Sequence, residues 1–269
     1  MEKIIFNKEN LIKGFNYGIE SELYLYNDNG EIVVLKKFKD KYDLRSKVQK
    51  ARDEIDLKSG RKKESDLKGV IPFTDEIREN KIKKLEIIHD NDLFKDEVQV
   101  KKLVYDENGT FIGYTMKYEE LKSADMNTRK KYKIMQLKKL KERVIEFNKN
   151  GIYYGDFNER NLLCTKDICK LCDLDNIKIG DLDFDLKSIS QLDYEKKWTN
   201  LEYLDNYCFN IFTISYLYKI HLPYTEFFIS QNGLPFRMRT EKNVEIAKKM
   251  LSLKQDYNET EFLIDHMRY

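Results

Sequence analysis

Residues 151 to 176 read GIYYGDFNERNLLCTKDICKLCDLDN, and the reading of the whole chain turns on this stretch. An acid, Asp156, is followed five residues later by an amide, Asn161. After the apolar pair Leu162 and Leu163, a short polar turn and a strand-like run from Cys169 to Cys172 comes a second acid, Asp173. Singly, each is a residue that turns recruit, because Asp and Asn side chains hydrogen-bond to nearby backbone. Turn chemistry alone gives no reason for all three to fall in register around the start of a strand. Upstream, residues 128 to 149 carry Tyr132, Met135, Leu140, Val144 and Phe147 at helical spacing, and Gly151 follows as a C-terminal cap. The other face of this helix, which includes Lys133, Lys138, Lys141 and Arg143, reads as a basic, solvated surface.

The quoted stretch resembles the catalytic loop and metal-binding motif of the protein kinase superfamily, H-R-D-x-x-x-x-N followed by D-F-G. The resemblance implies an α+β fold with two lobes, an antiparallel β-sheet N-lobe over residues 1–119 and a mainly helical C-lobe over residues 120–269. It implies ATP and Mg2+ as cofactors, with Asp156 as catalytic base, Asn161 in the amide position and Asp173 in the metal position. Phosphoryl transfer asks little covalent chemistry of a protein, but the acceptor hydroxyl must be aimed and the phosphate charge neutralised. Magnesium prefers oxygen ligands in octahedral geometry, which one carboxylate and one amide carbonyl satisfy when phosphate and water complete the shell. Asp175 is a candidate second metal ligand, or simply a polar residue of the turn.

The departures carry information as well. Tyr154 and Gly155 stand where a eukaryotic protein kinase has His and Arg, so Y-G-D is closer to the H-G-D of the aminoglycoside and choline kinase branch. Asp173 opens D-L-D-N instead of D-F-G, a form associated with bacterial and phage kinase-like proteins. Without that Arg there is no usual anchor for a phosphorylated activation loop, so Ser188, Ser190 and Thr199 are expected to be dispensable.

From Leu11 to Phe38, alternating stretches flank Asn29-Gly30, a strong signal for a two-residue hairpin turn. Gly14 to Gly18 resembles a degenerate glycine-rich phosphate loop, and VVLK at Val33 to Lys36 resembles the V-A-I-K strand, which makes Lys36 the ligand of the α- and β-phosphates. The family's helix glutamate is assigned first to Glu79 and second to Glu76, on a rhythm through Ile77, Ile82, Leu85 and Ile88. FIGYTMKY resembles the fifth strand and hinge, with Met116 behind the adenine and Lys117, Tyr118 and Glu119 along the base edge. Residues 40–70 form a charged insertion in which Lys and Arg outnumber Asp and Glu, with a helix at RSKVQKARDEI. In the C-terminal half, LDNYCFNIFTISYLYKIHLPY resembles the buried helix of the large lobe. Asp205 then braces the catalytic loop, with Tyr207 as the aromatic and Pro223 as the trailing proline.

The 269 residues carry 36% charged and 41% apolar side chains with a net charge of +2, and no apolar run approaches a membrane span. The expected location is the cytoplasm, with no membrane partner and no nucleic-acid partner. Three of the four cysteines crowd between Cys164 and Cys172, but without a second C-x-x-C pair they read as reduced thiols. Three functions stay open. The first is a serine/threonine protein kinase-like phosphotransferase acting on a hydroxyl. The second is a small-molecule kinase of the aminoglycoside or choline type, and the third a nucleotide-binding pseudokinase serving as an interaction module.

Overall fold

The computed structural model describes residues 1–184, 201–219, 240–252 and 262–266, apart from Ile19, Leu44, Ser46, Glu64, Ser65, Met126 and Asp167. Ser188, Ser190, Thr199 and Pro223 lie outside the described residues. The protein is mixed α+β and divides into two units, Met1–Asn91 with Gln99–Glu119, and Asp92–Val98 with Glu120–Tyr269. Among the described residues no helix is long and apolar enough to cross a membrane.

The first unit is built on a sheet of six strands, β1 (Glu2–Ile5), β2 (Leu11–Tyr17), β3 (Ser21–Asp28), β4 (Glu31–Phe38), β7 (Val100–Tyr105) and β8 (Phe111–Lys117), in the order β1-β7-β8-β4-β3-β2. Asn29 and Gly30 both have positive φ, 53° and 94°, the mirror-image turn that matches strand twist. The sheet is not wholly antiparallel as expected, because β1 runs parallel to β7. Four residues are too few to show alternation; the strand is held by its pairing with β7, by the Phe6 amide donating to the Tyr105 carbonyl at 2.7 Å and by Ile4 against the core, with Lys102 Nζ 3.1 Å from Glu2 at its start.

Tyr26, Val33, Leu35 and Val104 form a core on one face of the sheet, with Ile4, Phe6 and Leu11 against it. Side chains alternate across a strand, so Lys36 and Phe38 point to the other face. The charged insertion holds β5 (Lys41–Asp43), α1 (Lys47–Lys58) and β6 (Val70–Pro72), and much of its charge is paired internally. Asp53 is buried and accepts from Arg45 and Lys62, both at 2.8 Å. Helix α2 (Asp75–Asp90) follows, capped by the Thr74 side chain.

The second unit contains β9 (Lys122–Ser123), α3 (Lys130–Lys149), β10 (Ile152–Tyr153), β11 (Leu162–Cys164), β12 (Cys169–Leu171), β13 (Lys178–Ile179), α4 (Leu201–Tyr218) and α5 (Glu241–Ser252). Strands β12, β11 and β9 form one small sheet, and β10 pairs with β13. Helix α4 is buried around its circumference from Leu204 to Leu217, its polar residues Asp205, Asn206, Asn210, Thr213 and Ser215 included. Helix α3 packs against both α4 and β12, so its buried face is wider than a single stripe. That corrects the place of Lys133, which is 1% exposed, 4.6 Å above the Tyr216 ring, and donates to the Tyr216 carbonyl at 2.5 Å. Burial, with Lys219 nearby, lowers its pKa to about 8.

Candidate active site

Between β10 and β11 the chain forms a loop that folds back on itself around Asp156. Asn161 donates from Nδ2 to Asp156 Oδ2 at 2.8 Å and to the Asp156 carbonyl at 3.2 Å. Asn158 donates to Asp156 Oδ1 at 3.2 Å, while its own Oδ1 accepts from the backbone amides of Arg160 and Asn161. The carboxylate is thus positioned by two amides at once, each within a few residues of it. Asn158 stands outside the resemblance, although the Asx turn it opens at N-E-R is a local signal for it.

Both ends of the β11–β12 hairpin meet this loop. The Cys172 amide donates to the Asn161 carbonyl at 3.0 Å, which sets Asp173 one residue beyond the pair. Asp173 is half-buried with φ 63° and ψ 39°, a left-handed backbone that only Gly, Asn and Asp adopt readily. Asn161 Nδ2 is engaged with Asp156, which leaves Oδ1 as the acceptor atom of that side chain. One carboxylate and one amide oxygen are a donor set that suits magnesium, which usually keeps water and phosphate in its shell. Asp175, by contrast, is fully buried in the short helical turn Leu174–Asn176. Among the described residues, no group of three or more His, Cys, Asp or Glu side chains is arranged to hold a metal ion.

Behind the loop stand buried groups that hold its backbone. Gly155, φ 71°, donates its amide to Asp205 Oδ1 at 2.6 Å. With its amide turned so that the nitrogen faces acceptors, Asn148 donates to Asp205 Oδ2 at 2.9 Å and to the Ile152 carbonyl at 3.0 Å. Burial raises the Asp205 pKa to about 7, against the pull of the Gly155 and Tyr154 amides. The Tyr154 hydroxyl donates to the Cys172 carbonyl at 2.7 Å, and burial above all pushes that hydroxyl well up. Tyr154 therefore ties the residue two before Asp156 to the residue just before Asp173. Glu97 accepts from the Leu171 amide and pairs with Arg143 Nε at 2.8 Å; burial raises it to about 7. No local sequence signal marks Glu97, whose partners come from β12 and α3.

In the first unit, Lys36 is 3% exposed, with Nζ 5.5 Å from the Phe38 ring centroid and 5.9 Å from that of Tyr114. Its strand is pressed against Gly113 of β8: a Cβ there would lie 2.2 Å from the Lys36 carbonyl oxygen. Gly113 is the glycine that the fold demands, and it was not among the residues singled out from sequence. Gly14 sits on β2 opposite Tyr24, beside an irregularity in the pairing. Gly18 donates to the Ser21 carbonyl at 2.8 Å and accepts from Lys39 Nζ at 2.5 Å. A Cβ on Gly18 would meet only ordinary contact, so its lack of a side chain has no local steric cause. Met116 is buried at the end of β8, and Lys117 and Tyr118 are exposed beyond it.

Helix α2 presents Lys81, Lys84, Leu85 and Ile88 to the interior, while Glu79 and Glu76 are exposed. Lys81 Nζ lies 4.9 Å from the same Phe38 ring that Lys36 covers. The group that α2 brings to this ring is a second ammonium instead of the carboxylate expected at Glu79. Lysine stems bury readily along apolar surface, so the apolar rhythm alone could not have set the register.

No family model matches the chain, and no curated protein matches it.

Proposed function

We propose that the protein is an ATP- and magnesium-dependent phosphotransferase with a two-lobed kinase-like fold, transferring the γ-phosphate to a hydroxyl. The observation that carries the proposal is the Asn161 to Asp156 hydrogen bond in a loop whose Asn161 carbonyl is paired to Cys172, next to Asp173. Asp156 aims the acceptor hydroxyl and takes its proton as the oxygen bonds to the γ-phosphorus and ADP leaves. Asn161 Oδ1 and Asp173 would hold magnesium, whose charge would offset that of the phosphates. Lys36 is assigned to the α- and β-phosphates, and Met116, Lys117 and Tyr118 to the adenine. The order of elements supports this: a hairpin, the lysine strand, a helix, a second hairpin, then a mainly helical unit.

The acceptor is read first as a serine or threonine of a protein. Gly155 favours a second reading, a small-molecule alcohol of the aminoglycoside or choline type. Its left-handed backbone strains any side chain, so the arginine that answers to a loop phosphate does not fit here. Purified protein incubated with labelled ATP and magnesium, with a generic basic protein or with a panel of aminoglycosides and choline, decides between them. Binding of ATP without transfer to any acceptor, or to the protein itself, would reduce the chain to a nucleotide-binding interaction module.

A further inference from the structure

The β11–β12 hairpin carries a pair of cysteines that the proposed chemistry does not use. Cys164 and Cys169 are directly opposite in the antiparallel register, and their sulfurs are 2.7 Å apart. Both are free thiols. The backbone bonds fix which kind of pair this is. Thr165 donates to Ile168 at 2.8 Å and Cys172 to Asn161 at 3.0 Å, so hydrogen-bonded pairs fall at Thr165/Ile168 and Asn161/Cys172. Alternation then makes Cys164/Cys169 a non-hydrogen-bonded pair, whose Cα atoms approach to about 4.5 Å. That spacing lies within the range a disulfide spans, and a bond of about 2.05 Å needs only a small movement of two sulfurs already in contact.

We propose that Cys164 and Cys169 are a redox modification site, closing to a cross-strand disulfide under hydrogen peroxide and reopening with thiol reductant. The chemistry balances with peroxide as the two-electron oxidant. The Cys164 thiolate attacks one peroxide oxygen, the O–O bond breaks, and hydroxide leaves to take up the thiol proton as water. The Cys169 sulfur then attacks the sulfenic sulfur, the S–O bond breaks, and a second water departs with the Cys169 proton. The roles of the two sulfurs are interchangeable in this scheme, because either thiol can donate across their contact. Cys172 is set apart: its thiol faces the Arg160 carbonyl at 3.6 Å. Leu162 and Leu171, two residues along each strand and both buried, share the face of the pair and keep the hairpin in register.

The sequence makes the test unambiguous, since trypsin cuts after Arg160, Lys166, Lys170 and Lys178 and places the three cysteines on three peptides, 161–166, 167–170 and 171–178. Native protein treated with peroxide, alkylated and digested should yield peptides 161–166 and 167–170 joined. Titratable thiols in denaturant should fall from four to two, and reductant should restore them. Cys164→Ser and Cys169→Ser should each abolish the joined pair, while Cys172→Ser should keep it. Linkage to peptide 171–178 instead, sulfinic or sulfonic acids on separate peptides with none joined, or joining only after unfolding would each overturn the proposal. The parent protein alone gives the deciding masses should a variant fail to fold, and the readout is independent of phosphotransfer.

Discussion

The backbone amide of Gly155 donates to Asp205 Oδ1 at 2.6 Å, so a carboxylate on α4 holds the residue immediately before Asp156. The two residues are far apart in sequence, and the bond joins the loop to the most buried helix of its unit. Gly155 has a left-handed backbone that an external anchor helps to maintain. The position of Asp156 is therefore set from outside by Asp205 and from within by Asn158 and Asn161.

The same burial that anchors the loop makes stability fall with pH. Asp205 is raised from 3.8 to about 7 and Glu97 from 4.5 to about 7, in both cases chiefly by burial. Between those limits the folded protein retains protons that the unfolded chain has released. The stabilising contribution is thus complete below about pH 4 and lost as pH rises through about 7. Melting temperatures measured from about pH 5 to 8 should decline, and Asp205→Asn should flatten the decline. A melting temperature that rises over this interval, with or without the substitution, would contradict the assignment.

Gly113→Ala should destabilise the first unit by about 2 kcal/mol, because a methyl group cannot share space with a backbone oxygen and the two strands must separate. Chemical denaturation measures the loss. A variant within about 0.5 kcal/mol of the parent would mean that β8 and β4 do not approach as closely as described.

Glu79→Ala should be silent, in stability and in nucleotide binding, because its side chain is exposed on α2. Lys36→Met should weaken ATP binding by about 10- to 100-fold, the usual worth of a lost charge-assisted bond to phosphate. Calorimetric titration of both variants with ATP and magnesium compares them directly. Loss of affinity in Glu79→Ala would restore the carboxylate to the role that the resemblance assigned it.

Asn158→Ala should lower turnover by about 10- to 100-fold and weaken ATP affinity much less, since it frees one side of Asp156 and releases the Asn161 amide while the Asn161 and Asp173 side chains stay in place. Steady-state kinetics separates the two effects. Unchanged turnover would show that Asn161 alone suffices to orient the carboxylate.

The features legible in the sequence were those whose causes are local. Asn29-Gly30 fixes a hairpin by backbone preference, and the periodic apolar residues of α3 and α4 specify helices. A spacing of five residues is short enough for one loop to bring Asp156 and Asn161 into contact. What escaped depends on distant partners. Strand β1 is held by β7 and by Ile4 against the core, Gly113 is required by the carbonyl of Lys36, and Glu97 is buried against Leu171 and Arg143. Lys81 and Lys133 are the clearest cases, for nothing beside them in the chain distinguishes a lysine lying on an aromatic ring from one in water.

Removing the metal ligand and removing the base should have different consequences. Asp173→Ala should lose the magnesium-dependent part of ATP binding, seen as a thermal shift in the parent that is absent in the variant. Equal shifts in both would move the metal away from Asp173.

Turnover of Asp156→Asn, measured with labelled ATP and magnesium beside the parent, tests the central claim most directly. Asparagine preserves the shape of the side chain and, with its oxygen facing Asn161 Nδ2, the orientation of that residue, while removing the proton acceptor and giving up the bond from Asn158. The account predicts that ATP with magnesium stabilises both proteins equally, and that phosphate transfer by the variant falls by about 100-fold or more. Transfer at the parent rate by Asp156→Asn, or no transfer by the parent to any hydroxyl acceptor, would contradict it.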